Sequence, residues 1–115
     1  GEDLMKGCIS YEIVRLMAEG MHPQAACEKA VNQLDHRLKE RRGHAGDLSL
    51  IAMNNKGEWG VATNIEGFSF AVATDQLGPT IYLAYPAEDG GNPQIEVASQ
   101  EWLDAYQARI TAPIK

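Results

Sequence analysis

Apolar positions in the first forty residues recur at intervals of three and four. Leu4, Met5, Cys8, Ile9, Ile13, Leu16 and Met17 share one face of a helix predicted over Glu2 to Glu19. Glu2 and Asp3 stand in its first turn, where carboxylates complement the helix dipole, and Gly20 supplies the stop. Pro23 suits the first turn of a second helix, because the N–H it lacks has no helical partner there. Ala26, Cys27, Ala30, Val31, Leu34 and Leu38 form the stripe of that helix, which ends around Gly43. The connection Gly20-Met21-His22 is short, so the two helices are expected to lie side by side and antiparallel.

After the loop GHAGD the period changes. LSLIAMN is a compact apolar run, NNKG is turn chemistry and EWGVATN follows, a pattern that predicts a β-hairpin. Glu66 and Gly67 introduce a third strand, Phe68 to Thr74, so a helix pair precedes an antiparallel meander. PTIYLAYP, bounded by two prolines, reads as an edge strand, and AEDGGNPQ reads as a loop. Ser99 can cap a short terminal helix, EWLDAYQARI, with Trp102, Leu103, Tyr106 and Ile110 on one stripe. The fold class is therefore α+β: two antiparallel helices packed on an antiparallel sheet. With 115 residues and no internal repeat, residues 1–115 form a single domain.

Charge narrows the function classes. A net charge of -6 offers phosphates no attractive field, so no nucleic acid partner is expected. The densest basic run, residues 36–44, falls where a helix ends, and cations there complement the dipole. No apolar stretch reaches the roughly 20 residues needed to span a bilayer, so no membrane partner is expected either. Cys8 and Cys27 are too few for a disulfide scaffold; joining them would need steeply crossed helices, and both are expected to be structural thiols.

No residue declares itself catalytic. Ser10, Ser49 and Ser69 lack any surrounding nucleophile motif. His22, His36 and His44 fall on a helix start, a helix face and a loop, with solvent-facing or capping roles and no metal-ligand spacing. Glu2 and Asp3 are adjacent on a helix and point apart, while Glu88 and Asp89 lie in a Gly-rich loop, so neither pair makes an acid/base dyad. Asn54 to Gly57 form a turn, and Gly90-Gly91 lacks the helix and Lys of a phosphate loop. The expectation is no catalytic, no cofactor-binding and no metal-binding residue, and no cofactor.

The order of the pieces resembles a known family. GEDLMKGC, YEIVRLMAEGMHPQAACEKAV, LIAMNNKGEWGVATN and EGFSFAV, in that order over residues 1–73, resemble the carboxyl-terminal half of the β subunit of glycosylasparaginases, relatives of the plant-type asparaginases. The most specific parts are G-x-x-P-x-x-A-C at Gly20 to Cys27, the hairpin from Asn54 to Gly60, and G-F-S-F-A-V at Gly67 to Val72. Residues 74–115 carry no match and read as an extension. The resemblance implies an N-terminal nucleophile hydrolase with an αββα sandwich, in which a threonine exposed by self-cleavage attacks the side-chain amide of asparagine or glycosylasparagine. Its own α-amine, which titrates near neutrality, serves as base. The family's catalytic threonine and its substrate-gripping arginine and aspartate lie upstream of the helix that opens this chain, so none maps onto a residue here.

The resemblance therefore implies the back portion of a two-part amidohydrolase, inactive alone, whose partner is a complementary chain carrying the N-terminal threonine. Without that chain the inner faces of LSLIAM, GVAT and FSFAV would be bare, which favours self-association through exposed strands or cover by the terminal helix. The alternative is a non-catalytic α+β binding or self-assembly module, whose interaction surface would join Glu88, Asp89 and the Trp102 helix.

Overall fold

The computed structural model describes residues 1–87 and 94–114. Its elements run α1 (Glu2–Lys6), α2 (Ile9–Ala18), α3 (Pro23–Arg42), β1 (Ser49–Met53), β2 (Trp59–Thr63), β3 (Phe68–Val72), β4 (Thr80–Ala84), β5 (Ile95–Val97) and α4 (Gln100–Thr111). The loop expected at AEDGGNPQ lies mostly outside the described residues, as do Glu88 and Asp89.

The first helix is not continuous. Its chain breaks at Gly7 and Cys8, where Cys8 adopts a left-handed conformation with φ 47°. At the break the start of the chain lies close to α3: a Cβ on Gly7 would stand 2.7 Å from Leu34 Cδ2. The predicted stripe splits accordingly, with Ile9, Ile13 and Leu16 buried but Met5 and Cys8 exposed. From Ile9 onward the expectations hold. At the end of α2, Gly20 N–H donates to Met17 O and Met21 N–H to Leu16 O, the paired bonds of a left-handed C-terminal stop. Pro23 opens α3, and Gly43 closes it.

The strands form two sheets rather than one meander. β1 and β2 make the expected hairpin in register Ser49 with Thr63 through Met53 with Trp59. Asn54 Oδ1 accepts from Lys56 N–H and Glu58 N–H to set the turn. β3 does not join this hairpin; it pairs with β4, which pairs with β5, giving the order β3-β4-β5. PTIYLAYP is therefore a central strand and not an edge, and Ile95–Val97, unmarked in the sequence reading, is the edge strand.

A physical reason for the separation lies on the far edge of β2. The side-chain amide of Gln24 accepts from Val61 N–H at 2.8 Å and donates to Val61 O at 2.8 Å, as a neighbouring strand would. Glu28 Oε1 accepts a further bond from the same amide nitrogen at 2.9 Å and orients it. The edge on which β3 would have continued the sheet is thus occupied. Gly60, one residue earlier, turns to the helices at backbone contact. A Cβ there would lie 2.3 Å from Gln24 N and Cα and 2.6 Å from Pro23 C.

Side-chain alternation along β1 and β2 then sorts the core into two parts. Leu50, Ala52 and Ala62 face α2 and α3 with Leu16, Val31, Leu34 and Leu48. Val61 and Trp59 face the second sheet, meeting Phe68, Phe70, Val72, Tyr82 and Ala84. Trp59 lies 5.6 Å from both the Phe70 and the Tyr82 ring centroids. On the outer side of that sheet, α4 sits over Ser69, Ala71 and Ile81. Ser99 caps α4 as expected by accepting from Trp102 N–H at 3.0 Å, but none of the helix's residues is fully buried. The helix lies over the outer face without sealing it, since Ser69 and Ala71 stay exposed, and leaves the inner face to the sheets themselves. The layers run helix, sheet, sheet, helix.

The link from α3 to β1 is pinned by polar side chains. Arg42 donates to Asp3 Oδ2 and to His44 O, and Gly46 N–H donates to the same Asp3 oxygen at 2.8 Å. Arg42, expected only to complement the helix dipole, thus ties the end of α3 to the start of α1. On the other side of the loop, Asn64 accepts from Leu48 N–H and donates to Gly46 O and Asp35 Oδ1.

Three outcomes follow for the purified chain in denaturant titrations. Gly60→Ala is expected to cost about 2–3 kcal/mol, because the added methyl meets backbone that cannot yield locally. Gln24→Leu is expected to cost about 2–4 kcal/mol, since both polar groups of Val61 lose their partner; wild-type stability in either variant would contradict the contact. The hydrogen bonds from Arg42 and Gly46 hold the Asp3 carboxyl below its ordinary range against the opposing effect of burial. Its folded pKa is depressed, so its contribution is present above about pH 4 and is lost as pH falls through the folded value. Asp3→Asn should accordingly be less stable than wild type at neutral pH, with the gap closing in acid; a gap independent of pH would rule the ion pair out as its source.

Candidate functional site

The groups weighed as chemistry in the sequence are dispersed by the fold. Ser10 is exposed at the start of α2, and Ser69 is exposed on the outer face of β3. Ser49 Oγ shares a hydrogen bond of 2.8 Å with Thr63 Oγ1, hydroxyl to hydroxyl across the hairpin. His22 Nδ1 accepts from Gln24 N–H at 3.0 Å and caps α3, while its Nε2 lies 3.3 Å from Glu58. His36 pairs with Glu40 one turn along α3, and His44 Nδ1 lies 3.3 Å from Arg42 O. The two thiols are free, with Cys8 exposed and Cys27 buried. Burial pushes the Cys27 thiol up to about 12, so it stays protonated and unreactive at neutral pH.

Among the described residues, then, no Ser, Thr or Cys side chain shares a hydrogen bond with a His or a carboxylate, the geometry a nucleophile and base would need. No group of three or more His, Cys, Asp or Glu among them could hold a metal ion. No helix of the described residues is long and apolar enough to cross a membrane.

What the fold does assemble is an apolar cleft of about 270 Å³ between the two sheets. Ile51 and Met53 of β1, Trp59 of β2, and Phe70, Val72 and Ala73 of the β3 strand and its end line it. Ile51 and Met53 belong to the inner face of β1, opposite Val61 and Trp59, yet they are 57% and 70% exposed. The second sheet covers β2 and stops short of β1. A second space of about 360 Å³ opens beneath α4, where Trp102 and Tyr106 stack on each other at 5.3 Å and Arg109 lies over the Tyr106 ring.

The polar residues that the sequence reading passed over are structural joints. Burial opposes ionisation of Asp35, but the hydrogen bonds from Asn64 and Lys39 outweigh it and hold the carboxyl below its usual range. Gln24 is the most consequential omission. The Gly20 to Cys27 segment and the Asn54 to Gly60 hairpin, quoted above as the most distinctive stretches, meet in space through Gln24 and Gly60 and through His22 and Glu58. Their side chains hold a helix start against a strand.

Comparison with known proteins agrees with the resemblance. A family model described as "Asparaginase" matches residues 1–82, from α1 to Tyr82 in β4. An N(4)-(beta-N-acetylglucosaminyl)-L-asparaginase from Elizabethkingia miricola is 36% identical over 80 residues, which cover 68% of this chain. The chain spans 23% of the length of that relative. With the family match running through all three helices of the first layer, the whole hairpin and β3, the chain belongs to the asparaginase family.

Proposed function

We propose that this chain is the carboxyl-terminal scaffold of an asparaginase-type amidohydrolase that cleaves the side-chain amide of asparagine or glycosylasparagine. The observation that carries the reading is the family match over residues 1–82, two of whose most distinctive segments meet in the contact of Gln24 with Val61 at 2.8 Å. In this reading the reacting groups stand on a complementary polypeptide. Its N-terminal threonine is the nucleophile, and the threonine's α-amine, titrating near neutrality, takes the hydroxyl proton. In this reading the helix layer α1 to α3 and the strands within residues 1–82 belong to one flank of an N-terminal nucleophile hydrolase sandwich, and those strands support the sheet on which the site is built.

A second reading, a non-catalytic self-assembly module, draws on the exposure of Ile51 and Met53 beside an apolar cleft. It concerns a different surface and does not require the first to fail.

A chimera tests the catalytic reading. Residues 1–82 of this chain replace the aligned segment of the Elizabethkingia miricola relative, and hydrolysis of N-acetylglucosaminyl-asparagine is followed beside the parent and beside this chain alone. The chimera is expected to hydrolyse the substrate, and the chain alone to give no turnover above buffer. Turnover by the isolated chain, or an inactive chimera that melts cooperatively while the parent is active, would overturn the assignment.

A further inference from the structure

Each sheet has one edge guarded against a further strand and one that is not. β2 is covered on its far side by Gln24, and β5 is only three residues long and carries Glu96, devices that keep an edge from accepting a neighbour. β1 and β3 have neither: each is five residues long, with no charge, no proline and no bulge in its register. Among the described residues β1 pairs with β2 alone and β3 with β4 alone. The backbone groups on these two edges follow from the bonds of the neighbouring strands. Val61 turns its N–H and C=O toward Gln24, so Ile51 opposite it turns its own to the free side of β1. Ile81 accepts from Ala98 N–H on the β5 side, so Ala71 opposite it turns its N–H and C=O to the free side of β3. Both open edges border the same apolar cleft, which Ile51 and Met53 line from β1 and Phe70 and Val72 from β3.

We propose that the complementary polypeptide seats in this cleft and continues both sheets on that one side, with one strand beside β3 and another beside β1. The strand beside β3 supplies what the second sheet lacks. It lies about 4.8 Å farther out than β3, over the inner face of β1, where Ile51 and Met53 are exposed. Its inward side chains are apolar, because no charged residue lines the cleft to pair with a buried charge. The inference rests on the asparaginase reading, which also names the occupant: this chain spans 23% of the length of its relative, so a protein of that kind has further chain to supply the two strands. The guarded edges set the direction. Neither sheet is extended at β2, where Gln24 stands, or at β5.

Amide hydrogen exchange, read residue by residue, compares the full chain alone with the chimera that carries residues 1–82 in the Elizabethkingia miricola relative. Alone, the Ile51 and Ala71 amides are expected to exchange as free edge amides do. In the chimera each should slow at least tenfold, with Val61 slow in both. A chimera that hydrolyses the substrate while either edge amide stays fast would overturn this inference and leave the catalytic reading standing. An inactive chimera that melts cooperatively overturns the catalytic reading and this inference with it. A second measurement does not need the chimera: the relative with its aligned segment deleted, tagged and co-expressed with the full chain, is expected to retain it. Ile51→Lys puts a charge in the cleft, and Ala71→Pro removes an N–H that the β3–β4 ladder does not use. Each should lower the retained amount at least tenfold and Val97→Lys on the β5 edge should not, with circular dichroism and cooperative melting showing that the variants are folded. No retention of the wild-type chain, retention that survives both cleft variants, or a loss confined to Val97→Lys overturns the proposal.

Discussion

Two hydrogen bonds from one glutamine organise this fold. The Gln24 amide meets Val61 N–H and C=O, each at 2.8 Å, and so completes the exposed edge of β2 from the first turn of α3. An amide can do this because it offers a donor and an acceptor in the same plane, spaced as a peptide group is. Gly60 makes the approach possible, since any side chain there would collide with the backbone of Pro23 and Gln24. Once the edge of β2 is filled by a helix residue, the following strand has to fold over the hairpin. The aromatic layer of Trp59, Phe70 and Tyr82 follows from that turn.

A second set of polar contacts secures the other end of the same layer. Asp3, Arg42 and Gly46 join the start of α1, the end of α3 and the loop into β1, while Asn64 ties that loop to the end of β2 and to Asp35. Together with Gln24 they fasten the hairpin to the helices at both ends, leaving buried aliphatic groups such as Leu16, Val31 and Leu48 to fill the space between. The weak side of the structure is β1, whose inner residues Ile51 and Met53 stay exposed because the second sheet lies over β2.

Local chemistry made much of this legible in the sequence. Pro23 and Gly43 marked the ends of α3, Asn54 to Gly57 marked the hairpin turn, and Ser99 marked the cap of α4. What the sequence did not show was set by contacts distant along the chain. The break at Gly7 and Cys8 lies against Leu34 of α3, the division into two sheets answers to Gln24, and the central place of β4 depends on β5, a strand too short to carry a periodic signal. The cleft was equally hidden, since its lining comes from strands whose pairing had to be known first. Family membership, in contrast, was readable from three short segments, two of which meet in the joint between the start of α3 and β2.

Two of the segments most distinctive of asparaginases thus hold the layers of this fold together. The most direct measurement of that account is the exchange rate of the Val61 amide, followed residue by residue by nuclear magnetic resonance after transfer to heavy water. The account predicts exchange as slow as that of the ladder amides between β1 and β2, although among the described residues no strand lies beside Val61 on that edge. Exchange as fast as an unprotected edge amide would show that Gln24 does not complete the strand, and the joint between α3 and β2 would have to be sought elsewhere.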